Sequence, residues 1–328
     1  MSDPVSEFFN DCPAGSHSET LEAEVASFLS RQCESKQAGG ASRPIVLVTS
    51  GGTTVPLEQN CVRFLDNFSG GTRGALSAEL FIKAGYSVIF FHRRGSIQPF
   101  SRTLPGRSGW DLLHTCLALD ASGRVEVPAA HQDSLRASLS ASVGAAPSIL
   151  HVPFTDIFEY LQGLRTLCSL LNPLGSAVML YLAAAVSDFF LPRSQMAQHK
   201  IQSSGGALHL DLQPVPKMLG VITGRWLPQA MCVSFKLETD AAMLIPKATS
   251  SLTRYKLHAV VANLLHNRTE QVLLLHNSER EELSRDASGS AVADSGVCVE
   301  TIDRLPGGAE IEGQIIERLA QMHRTFRG

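Results

Sequence analysis

From residue 45 onward the chain alternates short, fully apolar runs with amphipathic stretches. Ile45, Val46, Leu47 and Val48 are four consecutive branched residues, followed by Thr49-Ser50-Gly51-Gly52-Thr53. A short run with a Gly-rich stop predicts a strand buried on both faces. Residues 74–84 predict a helix ended by Gly85, and 86–91 (YSVIFF) a second buried strand. A strand–loop–helix–strand unit implies a right-handed crossover and a parallel sheet. Residues 155–171 carry Ile157, Leu161, Leu164, Cys168 and Leu171 at helical steps, stopped by Asn172-Pro173-Leu174-Gly175. Further strands are expected at 177–182, 231–235, 259–262, 271–275 and 297–302. Helices are expected at 216–223, 241–255 with Asp240 as N-cap, and 311–322.

Between these segments the pattern weakens. Residues 1–43 read as a polar extension with a helix at 18–31 and a Gly/Ser/Ala linker at 35–42. Residues 44–328 read as one domain carrying an insertion at about 95–150, with helical stretches at 109–119 and 129–142. Residues 190–216 form a long polar arm in which 209–212 reads as an alternating strand. An unstructured loop of that length is usually functional. Residues 284–296 read as an Asp/Ser/Gly-rich loop. The fold class is α/β: a doubly wound, mostly parallel Rossmann-like sheet with an insertion and a flap arm.

Composition changes this picture mainly by exclusion. The net charge of −3 argues against a nucleic-acid partner, and no apolar run reaches the ~18–20 residues of a membrane helix. The N-terminus lacks a basic segment followed by an apolar one, so no secretory signal is expected. Seven cysteines at irregular spacing, without a CxxC, read as reduced thiols of a cytoplasmic or nuclear protein, and no metal site is expected. Only seven lysines stand against twenty-one arginines, which makes Lys200 in a Gly-rich polar loop conspicuous.

In an open parallel sheet, ligands bind beyond the carboxyl ends of the strands. The 49–53 loop suits phosphate oxygens, since closely spaced glycines let backbone amides approach, but a tight strand-to-loop turn accounts for it equally. A second Gly-rich segment, Ser69-Gly70-Gly71-Thr72-Arg73-Gly74, directly precedes a helix, whose N-terminus favours anions. Together the two loops point to a nucleotide triphosphate. Arg63 can meet a phosphate or carboxylate, or lie solvated on the surface. The small residues of Ala183-Ala184-Ala185-Val186-Ser187-Asp188 let a ligand lie against a strand end, where Asp188 is either a contact or a cap. The 200–206 segment suits a lid, and Phe235 and Asn263 at strand ends can hold a base.

Six segments occur in order: VTSGGT (48–53), VRFLDNFS (62–69), YLAAAVSDF (181–189), HKIQSSGG (199–206), SFKLETD (234–240) and VVAN (260–263). This set closely resembles the phosphopantothenate–cysteine ligase family, also called phosphopantothenoylcysteine synthetase, in its eukaryotic stand-alone form. The likeness spans about 45–325 apart from the insertion. It implies that 4′-phosphopantothenate and L-cysteine are joined through an acyl-nucleotide, on the way to coenzyme A. It also implies ATP with Mg²⁺ as co-substrate, with CTP, the usual nucleotide of bacterial relatives, as the alternative.

The same resemblance assigns nucleotide binding to Gly51, Ser69, Gly71, Gly74, Phe235 and Asn263, and the acyl centre to Asn67. Ala184, Ala185 and Asp188 would line the phosphopantothenate pocket, and Lys200 would lie on the flap. Arg63 would reach the substrate phosphate of the neighbouring subunit, implying a homodimer. One position departs from the pattern: the family usually carries Ser after Asn-Phe-Ser, where this chain has Gly70. A dinucleotide-dependent oxidoreductase is the competing reading, but the 50–53 loop lacks GxGxxG spacing. A non-catalytic nucleotide sensor is a third, disfavoured by the presence of both Asn67 and Lys200.

Overall fold

The computed structural model describes residues 3–12, 18–37, 43–104, 109–277, 291–292 and 296–328. Its centre is the strand Ile45–Ser50, buried along its whole length. Ser87–Arg93 and then Ile149–Phe154 pair parallel on one side of it. Val178–Leu182, Met231–Glu238 and Ala259–Leu264 follow in parallel on the other. Numbered along the chain, these six strands lie in the order 3-2-1-4-5-6 of a doubly wound sheet. Gln271–Asn277, Val297–Asp303 and Ala291–Val292 extend the sheet antiparallel beyond the last, giving nine strands.

Successive strand residues face opposite sides, and both sides are covered. Leu47, Ile89, Leu180 and Val260 point into a layer formed with the helices Ile157–Leu171 and Ala241–Arg254. Val46, Phe90, Tyr181 and Val261 point into the opposite layer, formed with Thr72–Lys83 and Glu312–Arg327. Removing each such side chain from water contributes roughly 1.5–3 kcal/mol, so the central strands are the best anchored part of the molecule. Asp240 caps the helix Ala241–Arg254 by accepting from the Ala242 amide at 2.9 Å, as its sequence implies.

Several expectations need correction. The strand Ile149–Phe154 was not evident in the sequence; it is an edge strand with alternating burial and carries His151 and Pro153. Residues 209–212 are not a strand. The arm is instead closed at its base by Phe189–Phe190 paired with Gln213–Pro214, and Leu212 merely packs against the core. The helix expected from Pro216 begins at Met218, because the Val215 amide donates to the Asp188 carbonyl and holds the chain extended. After Val221 it passes into a π turn, Ile222–Trp226. The helix expected at 74–84 starts earlier, at Thr72.

Two N-terminal helices, Pro4–Asp11 and Ser18–Gln37, lie against the main body, where Phe8, Val25 and Phe28 are buried in the first layer. The insertion contributes the helices Gly109–Cys116 and Ala129–Ala145 and, between them, a short hairpin of Ala118–Leu119 with Val125–Glu126. Part of the 35–42 linker and most of the 284–296 loop lie outside the described residues. Among the described residues no helix is long and apolar enough to cross a membrane.

Candidate active site

The strand order reverses between Ile45–Ser50 and Val178–Leu182, so a crevice opens where their carboxyl ends part. The loops that leave the two strands are laced together there. The Thr49 hydroxyl accepts from the Ala184 amide at 3.1 Å, and the Thr53 hydroxyl from the Ser187 amide at 3.0 Å. The Ala185 amide donates to the Gly51 carbonyl at 2.8 Å, and the Thr53 amide to the Ala185 carbonyl at 3.0 Å. The threonines therefore orient the small-residue loop, a role not foreseen from sequence.

A cleft of about 750 Å³ lies along this seam. Its floor is the 183–188 loop. One wall is the 68–73 segment, and Phe235 and Asn263 line the cleft next to its Arg73. Gly71 is the N-cap of Thr72–Lys83 with φ +79°, a left-handed conformation that suits glycine. The helix thus presents its first amides and the positive end of its dipole beside the cleft. A β-carbon on Gly74 would sit 2.4 Å from the Ser50 hydroxyl oxygen, which itself donates to the Gly71 carbonyl at 3.1 Å. Helix start and strand end are thereby locked in contact.

The ring of Phe235 packs edge-on against Tyr181, with centroids 4.9 Å apart. Tyr181 is fixed by a 2.8 Å hydrogen bond to the Ser77 hydroxyl. The Arg73 guanidinium lies 6.0 Å from the Phe235 ring centre and donates to Asn263 Oδ1 at 3.3 Å. It also donates to the Arg268 carbonyl and pairs with Glu312 at 3.1 Å. Arg73 stands inside a loop already conspicuous in sequence, yet was not singled out. Glu312, far along the chain, carried no signal.

The structure brings together Ser69, Gly71, Ala184, Ala185, Asp188, Phe235 and Asn263 around this one cleft. Gly51, Gly74 and Asn67 are not among its lining residues; Gly51 packs closely against Arg93 and Gly74 against Ser50. Asn67 lies at the start of the 68–73 wall, its amide donating to the Thr53 carbonyl at 3.1 Å. Asp188 is exposed and its carboxylate lies 3.7 Å from Lys217, another cleft residue not picked out from sequence. Arg63 and Lys200 are not among the cleft-lining residues. They sit together on a neighbouring loop cluster, where Arg63 pairs with Glu58 at 2.7 Å and Lys200 is exposed.

Cys12, Cys61, Cys116, Cys168, Cys232 and Cys298 are free thiols. Burial pushes the Cys232 thiol up to about 12, and Cys168 is raised for the same reason. Such thiols are poor nucleophiles at neutral pH.

Comparison with known proteins places this geometry. Phosphopantothenate–cysteine ligase 1 of Oryza sativa subsp. japonica is 43% identical over 321 residues, covering 97% of this chain and 93% of its own. The Homo sapiens phosphopantothenate–cysteine ligase is 40% identical over 333 residues, with 99% and 98% covered. The chain belongs to the phosphopantothenate–cysteine ligase family. A profile described as "DNA/pantothenate metabolism flavoprotein C-terminal domain" matches residues 168–296. Among solved structures, a Cab2 mutant in complex with phosphopantothenate-cysteine superposes with a TM-score of 0.83 at 36% identity, covering 98% of both chains. The DNA/pantothenate metabolism flavoprotein from Streptococcus pneumoniae, at 18% identity and a TM-score of 0.54, shares the fold. It covers 86% of this chain and 99% of its own.

Proposed function

We propose that the chain joins 4′-phosphopantothenate and L-cysteine into 4′-phosphopantothenoylcysteine, in coenzyme A biosynthesis, in two steps within the cleft. In the first, the phosphopantothenate carboxylate attacks the α-phosphorus of ATP. An acyl-adenylate forms and pyrophosphate leaves. In the second, the cysteine amine attacks the acyl carbon, the amide forms, a proton is lost from nitrogen and AMP leaves. No residue of the chain need become covalently attached. The work is positioning and charge stabilisation, which suits a site built from backbone amides, Asn and cationic side chains.

The observation that carries this reading is the switch-point cleft itself. The 69–71 amides at a helix start suit the triphosphate, and Phe235 and Asn263, which line the same cleft, suit the base. Asn67 would donate to the oxygen of the reacting acyl group. Ala184 and Ala185 leave room for the pantothenate arm beside Asp188. Magnesium enters as the ATP complex. Among the described residues no three His, Cys, Asp or Glu are grouped to ligate a metal, so the phosphate oxygens would be its main ligands. CTP is the alternative nucleotide. Arg63 of the partner subunit would bind the substrate phosphate in a homodimer, and the cytoplasm is the expected compartment.

The test is pyrophosphate release. It should require ATP, phosphopantothenate and cysteine together in multiple turnover. Release that ignores phosphopantothenate would overturn the assignment, and CTP in place of ATP decides the nucleotide.

A further inference from the structure

Beside the cleft, residues 57–63 form a tight loop closed by the Leu57 amide donating to the Arg63 carbonyl at 3.0 Å. The Glu58 side chain fills its interior and is fully shielded from water. A buried carboxylate needs donors on both oxygens. Oε2 accepts from the Val62 amide at 3.2 Å and the Arg63 amide at 3.0 Å. Oε1 accepts from the Arg63 guanidinium at 2.7 Å and from the Ile201 amide at 3.3 Å. Burial alone would push this carboxyl up. The Arg63, Val62 and Ile201 amides and the guanidinium outweigh it and hold the group below the usual carboxylate range, so it is ionised at neutral pH.

Two of these donors belong to Arg63, and a third belongs to the residue after Lys200. The backbone reinforces the connection. The Gln59 amide donates to the Ala197 carbonyl at 2.9 Å and the Asn60 amide to the Gln198 carbonyl at 3.1 Å. One carboxylate therefore stands between the loop that carries Arg63 and the arm that carries Lys200. It engages Arg63 through Nη1, while the side chain remains 39% exposed, enough for the rest of the fork to meet a ligand. A guanidinium oriented by one fixed anion loses less entropy when it grips a second.

We propose that Glu58 is a positioning residue that holds Arg63 in its phosphate-binding orientation and tethers the Lys200 arm to the same loop. It touches neither substrate; it acts through these two residues. The proposal rests on the ligase reading above for what Arg63 binds, but the tether itself does not. Glu58 thereby sets substrate-phosphate recognition and arm placement together.

Glu58→Gln tests this. The side chain keeps its length, but one acceptor oxygen becomes an N–H group that faces donors. Two readouts apply. Trypsin cleavage after Lys200 in the intact protein requires the arm to open locally. It should become roughly tenfold faster or more, with the global unfolding midpoint within a few degrees of the parent. The KM for phosphopantothenate should rise about tenfold while that for the nucleotide stays within about twofold. On an Arg63→Ala background the same substitution should change the phosphopantothenate KM little, since the effect runs through Arg63. Should Glu58→Gln not fold, Glu58→Asp, which retracts the carboxylate by one methylene, gives the same readouts with the charge kept. Unchanged cleavage would overturn the tether. Equal effects on both KM values, or full additivity with Arg63→Ala, would overturn the positioning role. A parent protein without phosphopantothenate-dependent turnover would overturn the ligase reading and leave the cleavage result to decide the tether.

Discussion

The carbonyl oxygen of Asn67 occupies the place a β-carbon on Gly52 would need, 1.6 Å from it. Gly52 also bridges to Ala185 on its other side. The glycine is thus where the Asn67 loop, the 49–53 loop and the 183–188 loop come into contact.

Gly52→Ala should therefore push the 67–69 segment away from the cleft. Overpacking costs about 1–3 kcal/mol. A displacement near 1 Å at a reacting group costs about 10²-fold in rate. The expected outcome is a folded protein with a modestly lower unfolding midpoint and at least ~10²-fold lower kcat/KM. Activity near that of the parent would mean that the Asn67 loop does not position the reacting groups.

Arg73 and Glu312 make a second prediction. Their side chains are 17% and 8% exposed and 3.1 Å apart. Removing one member of a nearly buried pair leaves the other uncompensated, typically a loss of about 3–5 kcal/mol. Glu312→Gln should free Arg73 from the C-terminal helix and disturb its contacts to Asn263 and Phe235. The expected result is a nucleotide KM raised about tenfold, with the phosphopantothenate KM little altered. Equal changes in both would place Arg73 outside the nucleotide end.

A third concerns subunit sharing. If Arg63 serves the partner subunit's site, mixing Arg63→Ala protein with Asn67→Ala protein gives heterodimers with one intact site of two. Random exchange should restore about a quarter of the parental turnover, well above the residual turnover of either variant alone. No recovery, with exchange shown by an independent label, would count against sharing.

The parallel strands were legible in the sequence because both their faces are buried, which leaves unbroken runs such as Ile45 to Val48. Ile149–Phe154 was not, because an edge strand need not be apolar throughout. The helix Pro4–Asp11 was missed, although Asp3 as N-cap with Pro4 in the first turn is a start signal. The cleft loops were legible because two Gly-rich segments and a run of small residues fall at strand ends, where an α/β sheet binds its ligands, although a tight turn accounts for any one of them alone. What could not be read is how distant segments meet: Glu58 with Ile201, Arg73 with Glu312, Thr49 with Ala184. Each depends on the sheet order, and the linear chain carries no mark of it.

Acid should destabilise the fold in a defined window. His323 is buried, donates through Nε2 to the Ser176 carbonyl at 3.0 Å and accepts at Nδ1 from the Tyr86 hydroxyl at 2.9 Å, and burial pushes its pKa down to about 4. Unfolded, it titrates near ~6.5. Below that pH the unfolded chain binds a proton the folded one refuses, so stability falls between about pH 6.5 and 4 and this contribution then levels off. The loss is up to about 3 kcal/mol. Glu300 adds a separate acid loss lower down: burial opposes its ionisation, but His276 and Arg318 outweigh this and hold it at about 2. Denaturant unfolding across pH should show the upper limb shrink in His323→Gln, with the remainder due to His92 and His151, which burial also pushes down. An undiminished limb would assign it to other groups.

Lys200 offers the sharpest separation of the two proposed half-reactions. It is exposed, outside the cleft lining, on an arm held through its neighbour Ile201. For its ammonium to act, the arm must bring it over the phosphates after the nucleotide binds. There it would offset charge that builds as the carboxylate attacks and pyrophosphate leaves. Loss of one such contact usually costs ~10²–10³ in rate. Amine attack on the acyl-nucleotide releases no pyrophosphate and should need that charge less. Lys200→Gln is therefore expected to slow acyl-nucleotide formation by that factor while its consumption by cysteine changes only a few-fold. Single-turnover measurement without cysteine reads the first step, and decay of preformed intermediate on adding cysteine reads the second. If the second step slowed as much as the first, Lys200 would be a general arm residue that orders the closed site, and its tie to pyrophosphate departure would be wrong.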